Sequence, residues 1–188
     1  MSTVLTERMS LAEFHNLSND PDVERELLFG ELVERPTTKR NRWHANSEAA
    51  VAGILRNWNR SRSPRPGKVY SGEIGCDLPV VDSGVGIDVA FFSNEVLDAQ
   101  EEDAKYIVGP PVLAVEILSL SDVVEDVLKT VKVYLAAGVQ LVWIIDPYQR
   151  TLTVYAPNAR PQMLAEGQDY CGDPHLPGLK FSIDELFD

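Results

Sequence analysis

Apolar residues in the first third of the chain follow helical spacing in two places and strand-like spacing between them. Ser10–Glu13 has the form of a capping box, and the apolar residues that follow at helical spacing predict a short helix. Two short apolar runs flank Phe29-Gly30 within Glu26–Glu34, a pattern typical of a tight hairpin. Over Asn41–Asn59, apolar side chains recur every few residues, which predicts a longer amphipathic helix.

Strand signals dominate the middle of the chain. Lys68–Leu78 and Val85–Phe92 are rich in β-branched and aromatic residues, and a turn sequence, Asp82-Ser-Gly, separates them. Pro111–Leu118 and Gln140–Ile145 are nearly continuous apolar runs, as expected of strands that are covered on both faces. These four segments predict the centre of a sheet.

A helix is predicted between the last two of these strands. Asp122 is a candidate N-cap, the helix runs to Ala137, and Gly138 is placed to end it in the left-handed conformation. This order implies a parallel crossover, whereas neighbouring strands are joined by hairpins, including a second hairpin that leads into Thr151–Tyr155. Another capping box, Ser182–Glu185, opens a short terminal helix. The predicted fold is a mixed α/β (α+β) sheet flanked by helices.

Length and composition narrow the class of protein. The 188 residues are 44 % hydrophobic and 24 % charged, which is ordinary for a globular protein, so we expect residues 1–188 to form a single domain. The longest apolar runs are far shorter than the roughly 20 residues that cross a bilayer, and the first residues lack the features of a signal peptide. With only Cys76 and Cys171, we expect two unpaired thiols, a cytoplasmic location and no membrane association.

Positive charge is concentrated in one stretch, although the formal net charge is −12. Nine basic residues and a single acid, Glu48, lie between Arg35 and Lys68. Such a patch suits contacts with phosphate groups, and Trp43 and Trp58 lie within it, where they could stack on bases. A solvated helix face with two core tryptophans explains the same pattern. The candidate nucleic-acid contacts are Lys39, Arg40, Arg42, Arg62 and Arg65.

Two carboxylates interrupt otherwise apolar strands. Asp88 lies within Val85–Phe92, and Glu116 lies within Val112–Leu118. An ionised carboxylate in such a place is costly unless it is paired, and two of them on neighbouring strands could share a divalent cation such as Mg²⁺ or Mn²⁺. Each could instead point outward or accept hydrogen bonds from backbone groups and arginine, so both interpretations stay open at this point.

Five segments of the chain, in order, resemble one family. They are Arg25–Glu34, Ile87–Phe91, Val115–Ser119, Tyr134–Val139 and Val142–Pro147. They look like the Uma-two-type restriction endonucleases of the PD-(D/E)xK nuclease superfamily, and the similarity extends from about Leu11 to Phe187. The resemblance implies a restriction-endonuclease-like mixed sheet flanked by helices, with an added hairpin near the N-terminus and another after the core.

The resemblance also implies roles for individual residues. Asp88 matches the family's strand aspartate and Glu116 its second metal-binding carboxylate, so both are candidate catalytic residues and metal ligands. Glu31 lies on a segment that recurs in the family and is an additional candidate site residue. His44 heads the following helix where a histidine is usual, and capping or packing is its favoured role.

The chain departs from the family pattern at two positions. Ile87 replaces a usual proline, which removes no ligand, and Thr130 stands where the family places its catalytic lysine. On the predicted helix one buried stripe is formed by Val124, Val127, Leu128, Val131, Tyr134 and Leu135. Thr130 lies on one edge of this stripe, Lys132 on the opposite edge, and Lys129 nearly faces away. Neither lysine replaces the missing one directly, and both are candidate catalytic residues.

These observations support two main hypotheses. The first is a Mg²⁺-dependent DNA endonuclease in which Asp88 and Glu116 hold the ion and Lys129 or Lys132 supplies positive charge. The second is a catalytically weakened or inactive nuclease-fold module for binding or assembly, which Thr130 favours. A metal hydrolase for another substrate class is a third interpretation, but no motif pairs a nucleophile with a base. We expect DNA as the partner, a homodimer and no organic cofactor, although the net charge argues mildly against tight DNA binding.

Overall fold

A mixed β-sheet organises the fold. The structure is a computed structural model that describes residues 8–18, 20–37 and 39–188. The strands within these residues are β1 (Val23–Leu28), β2 (Glu31–Pro36), β3 (Gly67–Leu78), β4 (Ser83–Ser93), β5 (Ile107–Val108), β6 (Leu113–Ile117), β7 (Leu141–Asp146), β8 (Thr151–Tyr155), β9 (Gln162–Ala165), β10 (Asp169–Cys171) and β11 (Lys180–Ser182). The first nine form one sheet, and β10 and β11 pair with each other in a second, small sheet.

The main sheet combines antiparallel hairpins with a parallel crossover. Its order is β2-β1-β4-β6-β7-β8-β9, while β3 pairs with β4 along most of its length and β5 pairs with β3. β6 and β7 run parallel in register from Leu113↔Leu141 to Ile117↔Ile145. The parallel pair predicted from the strand–helix–strand pattern is therefore confirmed.

The helices of the described residues are α1 (Leu11–His15), α2 (Arg42–Arg60), α3 (Asn94–Asp98) and α4 (Val124–Ala137). The side-chain oxygen of Asn41 accepts hydrogen bonds from the N–H groups of Trp43 and His44, which fixes the start of α2. Gly138 ends α4 with φ of 100°, a left-handed conformation that glycine adopts readily.

Hydrophobic cores cover both faces of the sheet. Leu55 of α2 belongs to a core that includes Val115 and Trp143, and Val131 of α4 belongs to a second core that includes Val142. Because side chains alternate along a strand, successive residues of β6 and β7 enter opposite cores. The predicted mixed sheet flanked by helices is confirmed.

The structure differs from the predicted elements in a few places. The strands β5, β9, β10 and β11 and the helix α3 were not predicted, and the predicted terminal helix is the short 3-10 turn Ile183–Leu186. Asp122 does not cap α4, because its carboxylate accepts hydrogen bonds from the N–H and Oγ–H groups of Ser119 at 2.8 and 2.9 Å. Val123 takes the N-cap position without a side-chain cap.

The predicted buried stripe of α4 is wrong in its first turns. Val124 is 71 % exposed and Leu128 is 39 % exposed, whereas Thr130 and Val133 are buried. Residues 120–126 are all exposed, so the start of α4 lies outside the core, which the helix joins only further along its length.

Both cysteines are described, and both are free, with Cys76 buried and Cys171 exposed. In the described ranges there is no helix with the length and apolar character needed to span a membrane. Residues 1–7, which were expected to lack the features of a signal peptide, lie outside the described residues.

Candidate active site

A cleft of about 620 Å³ opens where β4 changes its partner strand. One edge of β4 pairs with β3, and the other pairs with β1 at Gly84 and with β6 from Val89 to Phe91. Between those positions the described residues place no strand against the second edge of β4. Asp88 lies in this gap and lines the cleft together with Glu116.

Asp88 is held by contacts from two other elements. It is 5 % exposed, and its Oδ2 accepts a hydrogen bond of 2.8 Å from the N–H of Ile117 in β6. The same oxygen lies 3.2 Å from Nε2 of His44. Among the described residues, Oδ1 has only a longer contact, 3.6 Å, with Nη2 of Arg40. One oxygen of Asp88 is therefore fixed, and the other retains lone pairs for a ligand.

His44 reaches Asp88 because of the way α2 begins. Capping by Asn41 places His44 in the first turn of the helix, where it is 1 % exposed. A carboxylate accepts hydrogen bonds, so Nε2–H is the donor that suits this contact. His44 thus contacts a candidate metal ligand and does not serve packing alone.

Glu116 enters the same cleft from β6. Its Oε1 accepts a hydrogen bond of 2.5 Å from the hydroxyl of Tyr134 in α4. Burial, followed by the negative charge of Asp88, raises the pKa of Glu116 well above its usual range, and the hydrogen bond from Tyr134 acts in the opposite direction. Burial, followed by the charge of Glu116, raises the pKa of Tyr134, so its hydroxyl stays protonated and donates.

Acidic side chains outnumber basic ones around the cleft. Among the described residues that line it, the carboxylates are Glu24, Glu26, Glu73, Asp88, Glu116, Asp122 and Asp126, and the cations are Arg25, Arg35 and Arg40. Arg25 is paired with Glu34 at 2.8 Å, and Arg35 is paired with Glu26 at 2.6 Å. Two of the three arginines are thus engaged within the β1–β2 hairpin. The remaining negative charge favours a cation in the cleft.

The chain matches a protein family over nearly its whole length. The family is Uma2, described as "Putative restriction endonuclease", and the match covers residues 11–184. The chain belongs to the Uma2 family. The resemblance indicated by the five sequence segments is therefore confirmed.

A solved structure shares the fold of this Uma2 chain. It is the crystal structure of "a putative nuclease belonging to DUF820 from Anabaena variabilis ATCC 29413", with 23 % sequence identity and a TM-score of 0.79. The similarity covers 95 % of this chain and 97 % of that one, and at this identity it shows the fold alone. No curated protein matches the chain.

The predicted lysines do not reach the cleft of this Uma2 chain. Thr130 lines the cleft, but neither Lys129 nor Lys132 is among the described residues that do so. Nζ of Lys129 donates a hydrogen bond of 2.5 Å to Oε2 of Glu31, and Lys132 is exposed. Asp88 and Glu116 therefore line the same cleft. The other candidate site residues, Glu31, Lys129 and Lys132, do not line it.

The basic stretch is divided by the length of α2. At 1.5 Å per residue, the 19 residues of this helix span about 28 Å. Lys39, Arg40 and Arg42 lie at its start, where Arg40 lines the cleft, whereas Arg62 and Arg65 follow its end. The five predicted nucleic-acid contacts therefore do not form one surface around the carboxylates.

The two tryptophans of this stretch have different environments. Trp43 is 45 % exposed, and the guanidinium carbon of Arg42 lies 4.2 Å from its ring centroid. Trp58 is 7 % exposed and donates a hydrogen bond from Nε1 to the carbonyl of Pro177. Trp58 is a core residue, and Trp43 is the one that is accessible to a base.

Sequence reasoning missed the contacts of Tyr134 and Arg40 with the carboxylates. A tyrosine on the apolar stripe of a helix indicates packing, and only the register of α4 over β6 reveals the partner of its hydroxyl. The position of Arg40 depends on an irregularity in β3, whose pairing with β4 shifts between Ser71 and Ile74, opposite Asp88. In the sequence, Gly72-Glu73 is only a weak signal for this bulge.

The donor set suits a hard divalent cation with few protein ligands. In the part of the chain that the structure describes, no three His, Cys, Asp or Glu side chains form a metal site by themselves. Two oxygens, Oδ1 of Asp88 and Oε2 of Glu116, have no hydrogen bond among the described residues. Mg²⁺ binds through one or two carboxylates and keeps several waters, so this pair fits it.

Proposed function

We propose that this protein is a divalent-metal-dependent DNA endonuclease that hydrolyses phosphodiester bonds in the β4–β6 cleft. Asp88 and Glu116 would hold Mg²⁺ or Mn²⁺. One observation carries the proposal. Two carboxylates from paired strands meet in one partly buried cleft, and one oxygen of each is fixed by a hydrogen-bond donor. Membership of the Uma2 family supports a nuclease.

The two fixed oxygens explain why the carboxylates can act together. The N–H of Ile117 orients Asp88, and the hydroxyl of Tyr134 orients Glu116. Each side chain then presents its second oxygen without a further cost in side-chain entropy. When bound, the ion would polarise the phosphate and lower the pKa of a bound water.

The start of α2 would receive the DNA backbone. Lys39, Arg40 and Arg42 lie together there, and phosphate contacts from such groups hold a duplex in place without reading its sequence. The exposed Trp43, stacked against the guanidinium of Arg42, adds a flat apolar surface at the same end of the helix. The acidic cleft itself repels phosphate, so DNA would engage it only with the ion in place.

The experiment is cleavage of supercoiled and linear DNA with Mg²⁺ or Mn²⁺. The wild type is compared with Asp88→Asn, which keeps an oxygen for the N–H of Ile117, and with Asp98→Asn, a matched control on the exposed helix α3. We expect cleavage that requires the metal, falls about 100-fold or more in Asp88→Asn and is unchanged in Asp98→Asn. Cleavage that survives Asp88→Asn contradicts the proposal.

A nuclease-fold module without activity is the second candidate, and one observation favours it. Among the described residues that line the cleft there is no lysine, and Thr130 stands at the expected position. This candidate predicts that carefully purified wild-type protein does not cut DNA with either metal. The same assay therefore separates the two candidates.

A further inference from the structure

One cation of the cleft lies beside a carboxylate of the proposed metal site. Nη2 of Arg40 is 3.6 Å from Oδ1 of Asp88, whereas Arg25 and Arg35 are paired with acids of the β1–β2 hairpin. The side chain of Arg40 is 34 % exposed. A substrate that enters the cleft can therefore reach its guanidinium.

A bulge in β3 holds Arg40 in this place. Glu73 follows Gly72 where the β3–β4 register shifts, both residues have positive φ, and the bulge lies opposite Asp88. Glu73 forms an ion pair with Arg40 and is exposed, in contrast to the buried Asp88. The guanidinium thus bridges a surface carboxylate and a buried one. With five N–H donors it retains some for a further acceptor.

We infer that Arg40 is the catalytic cation of this site, which contacts a non-bridging oxygen of the scissile phosphate in place of the lysine that is missing at Thr130. The inference rests on the proposed endonuclease function. Thr130 lines the same cleft from α4. The positive charge would therefore approach the phosphate from the start of α2 rather than from α4.

The chemistry assigns Arg40 an electrostatic role. In the hydrolysis a water oxygen forms a bond to phosphorus while the bond from phosphorus to one deoxyribose oxygen breaks. One water proton ends on the leaving oxygen and the other passes to solvent, so the products are a phosphate monoester and a free hydroxyl. A guanidinium stays protonated throughout, so Arg40 takes no proton from the water and stabilises the charge that builds up on the phosphate oxygens.

The same positive charge opposes the binding of a cation at Asp88. Loss of the charge should therefore slow cleavage and at the same time tighten metal binding, because a repulsion is removed. A residue that merely held Asp88 in position would behave differently. Its loss would weaken metal binding and cleavage together.

The experiment compares Arg40→Gln and Arg40→Lys with Arg56→Gln, which removes the same charge from an exposed position further along α2. Mn²⁺ affinity without DNA is measured by titration calorimetry, and single-turnover DNA cleavage is measured at saturating Mn²⁺. For Arg40→Gln we expect cleavage to fall about 100-fold or more and Mn²⁺ to bind roughly three- to tenfold more tightly. Arg40→Lys should keep much of the rate and Arg56→Gln nearly all of it.

Two results would overturn the inference and leave the nuclease proposal intact. One is an Arg40→Gln variant whose cleavage rate stays within about threefold of the wild-type rate. The other is slow cleavage by Arg40→Gln together with weaker Mn²⁺ binding, which would mark a purely structural role. A wild-type protein that does not cleave DNA, whether or not it binds Mn²⁺, contradicts the proposed function, and the inference then fails with it.

Discussion

Replacement of Glu116 by Gln should change the stability of the protein in opposite directions with and without metal. Glu116 is a desolvated carboxylate beside Asp88, and the described residues offset its charge mainly through the hydroxyl of Tyr134. A Gln side chain keeps an acceptor for Tyr134 but carries no charge. Without metal, Glu116→Gln should therefore stabilise the protein, in the same way that relief of strain at other functional sites does.

The change in Tm caused by Glu116→Gln can be estimated from typical energies of charge burial and metal binding. Relief of such a charge is worth about 1–2 kcal/mol, which corresponds to a rise in Tm of roughly 2–8 °C for a chain of this length. Metal bound at 100 times its Kd stabilises the wild type by about 2.7 kcal/mol. The wild type should thus melt below Glu116→Gln in EDTA and above it in saturating Mn²⁺.

The pH dependence has a defined sign. Because the pKa of Glu116 is raised above its ordinary value of 4.5, ionisation destabilises the folded state, and the penalty grows as pH rises through the raised pKa. The advantage of Glu116→Gln in EDTA should be larger at pH 8 than at pH 5.5, where more of Glu116 is protonated.

Differential scanning fluorimetry in EDTA and in Mn²⁺ measures both effects. Glu102→Gln, the same substitution at an exposed position in the turn between α3 and β5, is the matched control and should leave Tm and its metal shift unchanged. A Glu116→Gln variant that melts below the wild type in EDTA would contradict this prediction. So would a variant that keeps the full rise in Tm with Mn²⁺.

Three further predictions concern other parts of the chain. Burial raises the pKa of Cys76 to about 12, so Ellman's reagent at pH 8 should modify Cys171 alone in the native protein and both thiols in guanidinium chloride. Rapid modification of two thiols in the native protein would contradict the burial of Cys76. Thr130→Lys in an Arg40→Gln background should recover at least part of the lost cleavage, because position 130 lines the cleft; no recovery would show that a cation from α4 cannot reach the phosphate. Gly138→Ala should lower stability by about 1 kcal/mol, because φ is 100° there, and an unchanged Tm would argue against the left-handed end of α4.

The elements with strong periodicity were predictable from the sequence. α2, β4 and β6 have long or nearly continuous apolar patterns, and their positions agree with the prediction to within a few residues. The strands that were not predicted, β5, β9, β10 and β11, have only two to four residues each. Two of them are also mostly exposed: three of the four residues of β9 and two of the three of β10 are exposed. Such strands bury too little apolar surface to produce a regular alternation of apolar and polar residues in the sequence. Their pairing is determined by contacts with the rest of the sheet.

The candidate site was predictable only where a residue breaks a local pattern. Asp88 and Glu116 were visible because each is a carboxylate inside an apolar strand. The contacts of Tyr134, His44 and Arg40 with them could not be predicted in the same way. They join residues that are far apart in the chain, and they depend on how α2, α4 and the β3 bulge are placed around β4 and β6.

The sequence also could not show whether Lys129 lies in the cleft. Lys129 was adjacent in sequence to the expected position, but adjacent residues on a helix point about 100° apart. In the structure this difference directs Lys129 to Glu31 on the β1–β2 hairpin and Thr130 to the cleft. The position of Lys129 next to Thr130 in the sequence therefore did not predict that its side chain lies in the cleft.

The most direct test of a shared metal site is anomalous scattering from crystals of the wild-type protein soaked in Mn²⁺. We expect one manganese peak per chain in the β4–β6 cleft, roughly 2.0–2.3 Å from an oxygen of Asp88 and from an oxygen of Glu116. A cleft without a peak, or a peak bound by only one of the two carboxylates, would rule out a shared site.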